Sequence, residues 1–271
     1  MLPQEHLIGR VRQLCHADER LDAALMYGSF AHGEGDRHSD LEFWLFFVPE
    51  QREADPRGWC AQVGPLTYIA VNEFGAYVAF FTGLVRGEFH FATSEEIDGV
   101  RLWPAQEIAT DRMIVLDRRG ALREALEALR QRGIVPPLGD DEVAALCGRF
   151  ANWLVLAHHV AERGEIFRAV DALAHMQRHL LWMARLAEGR THHWLTPSRC
   201  AEAELSRDAI ELLRGAVPRG ATGADVRKAI HAAWQYGKRL WEELAARHKL
   251  ELPDGLFMQI DQAVAAPNPV L

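Results

Sequence analysis

The chain has 271 residues, 49% of them hydrophobic and 25% charged, which is enough for one large domain or two ordinary ones with a real core. Its 30 Lys and Arg against 38 Asp and Glu give a net charge of −8, which argues against a nucleic-acid binder that works by counterion release. That balance suits a neutral or cationic small substrate, and it is compatible with ATP, which carries its own Mg²⁺. The cysteines Cys15, Cys60, Cys147 and Cys200 are scattered without C-x-x-C spacing, so zinc-ribbon and redox readings fail and reduced thiols are expected. The opening MLPQEHLIGRVRQLC is charged throughout and holds no apolar signal-peptide core, and no run of about 18 apolar residues is present. A cytoplasmic protein with no membrane span is expected.

In chain order, the spacing of Leu7, Ile8, Val11, Leu14 and Cys15 predicts a first helix with one apolar face. AALMYGSF reads as a buried strand ending at Gly28-Ser29, and AHGEGDRHSD as a short helix or tight loop. LEFWLFFV is the next strand, closed by Pro49. GWCAQVG follows as a short helix or turn. TYIAVNEF and AYVAFF form a hairpin around Phe74-Gly75, LVRGEFHF is a further strand and MIVLD the last, ending at Asp117. GALREALEALRQR is a linking helix.

After GIVPPLGD the strand pattern stops. DDEVAALCGRFANWLVLAHHVAERG predicts one long helix, its acidic start suited to the helix dipole and Gly164 its stop. EIFRAVDALAHMQRHLLWMARLAEG, SRCAEAELSRDAIELLRGAV and GADVRKAIHAAWQYGKRLWEELAARHK predict three more, and AVAAPNPVL a disordered tail. The expected organisation is an α+β domain over residues 1–135, built on a small mixed β-sheet, followed by an all-α helical bundle over residues 136–271.

The chemistry centres on MYGSFAHGEGDRHSDLEFWLFF, residues 26–47. Asp40 and Glu42 are two apart at the mouth of an apolar strand, so their carboxylates share a face. Burying uncompensated charge costs several kcal/mol, and a divalent cation is a natural compensation. Mg²⁺ takes oxygen ligands, usually one or two carboxylates plus substrate phosphates. A pair of metals about 3.5–4 Å apart would clamp both oxygens of a phosphoryl-type displacement, and such a site wants a third acid. Glu88, a polar point in the apolar strand LVRGEFHF, is the candidate.

Gly28-Ser29 supplies the complementary half. Glycine lets a backbone approach phosphate closely, and the amides that follow can point at an anion. Ser29 would donate a hydroxyl to a phosphate, and Arg86, Lys228 or Lys238 would neutralise one. Each part alone is weak: D-x-E is usually a solvated strand edge, and G-x-G-x-x-G fails where His38 stands. His90, two after Glu88, would contact substrate, orient Glu88 or pack as a core histidine. For His158, His159, His175 and His179 a helix-surface reading stands ahead of a zinc site, since H-E-x-x-H is absent. The tryptophans of the second half read as packing, with one or two available to line an apolar pocket.

The combination of a strand, Gly28-Ser29, a ten-residue spacer and Asp40-x-Glu42 opening a second strand resembles the signature of the polymerase-β-like nucleotidyltransferase superfamily. More closely, MYGSFAHGEGDRHSDLEFWLFF and LVRGEFHF resemble the LinB-type lincosamide nucleotidyltransferases, antibiotic-resistance enzymes. The similarity covers most of the first half, with RGEIFRAVDALAHMQ its clearest stretch in the second. The resemblance implies MgATP as co-substrate and transfer of AMP to a drug hydroxyl. It implies that Asp40 and Glu42 hold metal and that Glu88 is the third acid and general base; Gly28, Ser29 and Arg86 are the expected nucleotide-binding residues. The partners expected are a nucleotide and a small-molecule drug, with no nucleic acid and no membrane, and with a homodimer left open. Two alternatives stand beside it: the same chemistry on an aminoglycoside, and a catalytically silent nucleotide-binding or antitoxin-type protein of the same fold.

Overall fold

The computed structural model describes residues 1–104, 109–131 and 139–265, which divide into two compact units, Met1–Pro136 and Pro137–Leu271. Most of the GIVPPLGD stretch and the end of the tail lie outside the described residues.

The first unit opens with α1 (Pro3–Ala17), which buries Leu7, Ile8, Val11 and Cys15 at the predicted helical spacing. Strand β1 (Leu21–Met26) is buried along its whole length. Helix α2 (Gly28–His32) follows, and a left-handed Gly33 ends it. Here the expectation is corrected: the strand stops at Met26, and Gly28-Ser29 are the first residues of α2. Strand β2 (Leu41–Phe47) begins one residue after Asp40 and is followed by a 3-10 turn, Pro49–Gln51. Helix α3 (Pro56–Ala61) precedes the hairpin β3 (Leu66–Val71) and β4 (Tyr77–Phe81). Then come β5 (Val85–Thr93), a long 3-10 segment Ser94–Leu102 that the sequence reading did not anticipate, α4 (Thr110–Met113), β6 (Ile114–Asp117) and α5 (Ala121–Gln131).

The strands form one mixed sheet in the order β3-β4-β5-β2-β1-β6. Only β2 and β5 run parallel; the other pairs are antiparallel. One face is an aromatic core. Phe43 stacks on Phe89 at 5.7 Å and Phe47 on Phe91 at 6.1 Å, and the edge of Trp59 meets both Phe89 and Phe91. Each aromatic pair adds about 0.5–1.5 kcal/mol beyond its buried area. Because side chains alternate, fixing Phe43 and Phe89 inward turns Glu42, Trp44, Glu88 and His90 to the opposite face.

The second unit, among the described residues, is entirely helical. Helix α6 (Asp140–Glu162) and α7 (Ile166–Glu188) are the two long helices expected, α7 ending on left-handed Gly189. The stretch 198–217, expected as one helix, is two: α8 (Ala201–Glu204) and α9 (Arg207–Gly215). Ser206 breaks it by capping α9, its Oγ accepting from Ala209 N at 3.2 Å. Helix α10 (Gly223–His248) matches its expectation, and α11 (Asp254–Ala265) is an addition to it. The α6–α10 contact is close at Gly237, where a Cβ would lie 2.1 Å from the Phe150 ring. Phe257 of α11 sets its ring edge against Trp234 and Trp241. No helix among the described residues is long and apolar enough to cross a membrane. Cys15, Cys60 and Cys147 are free and buried, burial pushing each thiol up to about 12, and Cys200 is free and exposed.

Candidate active site

The site is built on the polar face of β2 and β5. Their parallel register pairs Glu42 with Glu88 and Trp44 with His90. Two residues far apart in sequence thus present carboxylates from neighbouring strands, about 4.8 Å apart in the pairing direction. Asp40 sits at the mouth of β2, outside the strand. The loop before it is tied down: Asp36 Oδ1 accepts from His38 N and Ser39 Oγ, both at 2.9 Å, and the buried Gln4 of α1 donates to Arg37 O at 2.8 Å. Asp40 and Glu42 are half-buried, not fully buried as their apolar surroundings suggested.

Arg86 lies between the acids. Its Nη1 donates to Asp40 Oδ2, and its Nη2 donates to Glu88 Oε2 at 2.8 Å. Burial works against the guanidinium charge, but Asp40 and Glu88 hold its pKa above the ordinary arginine value. One small cationic group therefore already spans two of these carboxylates.

Gly28 faces the third. Its φ is +72°, and a Cβ built there would lie 1.5 Å from Glu42 Oε2. No side chain fits, and the backbone comes directly against the carboxylate. Tyr27, the residue before, donates its N–H to Glu42 O at 3.0 Å. Its phenol reaches across β2 and donates to Glu88 Oε1 at 3.3 Å, with His90 Nε2 3.2 Å away. His90 Nε2 is also 3.3 Å from Glu88 Oε1. The His90 ring stacks on Trp44 at 4.0 Å and 2°, and Trp103 leans on Trp44 at 5.1 Å. Burial lowers the His90 pKa against the opposing pull of Glu88, while burial and then the charges of Glu88 and Glu42 raise that of Tyr27. Both groups are therefore held neutral near pH 7.

The three carboxylates are oxygen donors of the kind a hard divalent cation takes, but their oxygens do not converge within 4.8 Å of one another, and Arg86 occupies the space between Asp40 and Glu88, so a cation there would displace that guanidinium. Residues 139–263 match the family model of the lincosamide nucleotidyltransferase-like C-terminal domain. The match covers the helical unit, just under half of the chain, and with Gly28-Ser29 and Asp40-x-Glu42 in the first unit it supports a nucleotidyltransferase of the LinB type. Its fold is also similar to an aminoglycoside 6-adenyltransferase from Bacillus subtilis, at 12% identity over 97% of both chains and a TM-score of 0.44. A nucleotidyltransferase-like protein from Exiguobacterium sibiricum is 12% identical over 98% of this chain and 82% of its own, with a TM-score of 0.41. No curated protein sequence matches.

Gly28, Ser29, Asp40, Glu42, Arg86 and Glu88 all lie in the first unit, the acids joined through the sheet register and the Arg86 bridge. Lys238 is engaged within the helical unit, its Nζ donating to Asp261 Oδ2 at 2.7 Å. His179 is a correction to the helix-surface reading: it is buried, and its Nδ1 lies 2.8 Å from His175 O. His175 in turn stacks on Trp153 at 4.3 Å. The sequence reading missed Tyr27 and the Trp44–Trp103 pair. Tyr27 carried one signal, a polar-tipped aromatic between an apolar strand and Gly28-Ser29; the Trp44–His90 stack needed the β2–β5 register, which no local pattern shows.

Proposed function

We propose that this nucleotidyltransferase transfers AMP from MgATP to a hydroxyl of a lincosamide antibiotic. The observation that carries the reading is the in-register pairing of Glu42 with Glu88 beside Asp40, with the Gly28 cradle against Glu42. Asp40 and Glu42, with Glu88, would hold Mg²⁺. When bound, the metal supplies charge stabilisation on the phosphoryl oxygens and the leaving pyrophosphate.

The chain's own residues divide the remaining work. The Gly28 backbone admits the triphosphate close to the sheet, and Ser29 donates a hydroxyl to it. Arg86, released from its carboxylate partners, neutralises phosphate charge. Glu88 takes the proton from the acceptor hydroxyl as that oxygen attacks the α-phosphorus in line. The choice of a lincosamide over an aminoglycoside is supported by the family match of the helical unit and by its wealth of tryptophan. A lincosamide brings one amine and an apolar arm, which suits a mostly apolar pocket with few polar anchors.

The experiment is pyrophosphate release from MgATP with a panel of hydroxylated drugs. Release with lincosamides alone supports the reading. Release with aminoglycosides alone refutes the acceptor and leaves the chemistry. No release with any drug refutes the function.

A further inference from the structure

We propose that Tyr27 is a positioning residue that fixes the rotamer of Glu88 and leaves Oε2 as the oxygen that receives the acceptor proton. This rests on Glu88 as the base.

The two oxygens of Glu88 are held in different ways. Oε1 takes the Tyr27 hydroxyl at 3.3 Å and lies 3.3 Å from His90 Nε2. Both partners are rigid. Tyr27 is anchored by its backbone bond to Glu42 and His90 by its stack on Trp44. Oε2 is held by Arg86 at 2.8 Å, on a long side chain that is 34% exposed. An arginine of that kind exchanges partners when an anion arrives, whereas a phenol wedged between two strands stays. Oε2 is then freed, and Oε1 is not.

The reach explains the residue type. Tyr27 follows β1, and β2 lies between it and β5, so the phenol and the Glu88 side chain must meet over β2. Tyrosine does this with two torsions and one terminal donor. Tyr27 O–H donates to Glu88 Oε1, and His90 Nε2 lies within hydrogen-bond reach of both, its part in the triad set by its tautomer. The carboxylate keeps its proton-accepting oxygen turned to the open side of the face.

The test is a double-mutant cycle of Tyr27→Phe and Glu88→Ala, read in two ways. In pyrophosphate release with MgATP and lincomycin, Tyr27→Phe is expected to lower kcat about tenfold or more, with both KM values within about twofold. In the Glu88→Ala background it should cost less than about twofold, because no base remains to be positioned. An equal loss in both backgrounds, or no loss in either, overturns the proposal. The second reading needs no turnover. In denaturant unfolding, Tyr27→Phe should lower the midpoint of the wild-type chain and leave that of Glu88→Ala unmoved. Equal midpoint shifts overturn the proposal even if activity falls. If the wild-type chain transfers nothing to any acceptor while the unfolding coupling persists, the failure lies with the function and not with the Tyr27–Glu88 bond.

Discussion

The two units treat their charged groups in opposite ways. In the helical unit Arg185 is completely buried, and its donors go to backbone carbonyls and one acid: Nε to Pro197 O at 2.7 Å, Nη1 to Arg190 O at 2.9 Å and Glu204 Oε2 at 2.6 Å, and Nη2 to Arg199 O. That arginine staples the segment after α7 to the helix, with four of its five N–H donors engaged within the unit. Asp261 is spent likewise, taking Trp234 Nε1 at 2.6 Å and Lys238 Nζ at 2.7 Å, which pins α11 to α10. On the sheet face of the first unit, Asp40 and Glu88 instead share one half-buried arginine. Charges fixed to backbone build a fold. Acids gathered around one half-exposed side-chain cation are free to change partners in a way that Arg185 and Asp261 are not.

The comparison predicts opposite outcomes for equal-looking substitutions. Glu88→Gln should lower kcat by about 10²–10⁴-fold and leave drug binding nearly intact, since it removes a base and little contact area. Asp40→Asn and Glu42→Gln should each cost more than about tenfold, ~1.4 kcal/mol of barrier, with the circular dichroism unchanged. Survival of kcat in any of the three would break the assignment.

Arg185→Met should do the reverse. Removing one partner of a buried ion pair costs about 3–5 kcal/mol, so denaturant unfolding of the helical unit should shift by about that amount. A midpoint equal to wild type would show that the staple is dispensable.

Gly28→Ala should act on the site first and on stability second. The positive φ costs about 1–2 kcal/mol, and the Cβ forces Glu42 aside. The rise in melting temperature that saturating MgATP is expected to give should vanish in Gly28→Ala and shrink in Ser29→Ala. An undiminished rise would refute the cradle.

The smallest effect is a pH dependence. Glu204 is partly buried, which opposes its charge, yet the bonds from Arg185 and His193 hold its carboxyl below the usual value. A depressed acid contributes stability that is full above its unfolded value, about 4.3, and lost as pH falls through the folded value. Wild type should therefore lose stability on acidification below about pH 4.3 more steeply than Arg185→Met, in which Glu204 lacks its main partner. Parallel acid limbs would contradict the pairing.

Much of the fold was legible because it is local. The period-2 alternation in LVRGEFHF placed Glu88 and His90 on one face, and the apolar faces of α6, α7 and α10 are written at helical spacing. The misses are equally physical. The break between α8 and α9 was signalled by Ser206, a good cap that a run of helix formers around it concealed. Helix α11 was announced by Pro253 and Asp254 but is short, and its docking depends on Asp261 meeting Trp234 and Lys238, 23 to 27 residues away. Within the site, Asp40 and Glu42 are neighbours in sequence, so their proximity is local. The side-by-side placement of Glu42 and Glu88 depends on β5 entering the sheet next to β2, across a crossover that periodicity does not encode. The Tyr27–Glu88 bond spans 61 residues and follows only from that order.

The central claim is that the acids gathered on β2 and β5 carry out adenylyl transfer to a lincosamide. Mass spectrometry of lincomycin or clindamycin after incubation with MgATP and the full chain tests it most directly. The account predicts drug carrying one added AMP unit, dependent on Mg²⁺ and absent with Glu88→Gln. Unmodified drug with the wild-type chain, or AMP addition that survives Glu88→Gln undiminished, would contradict it.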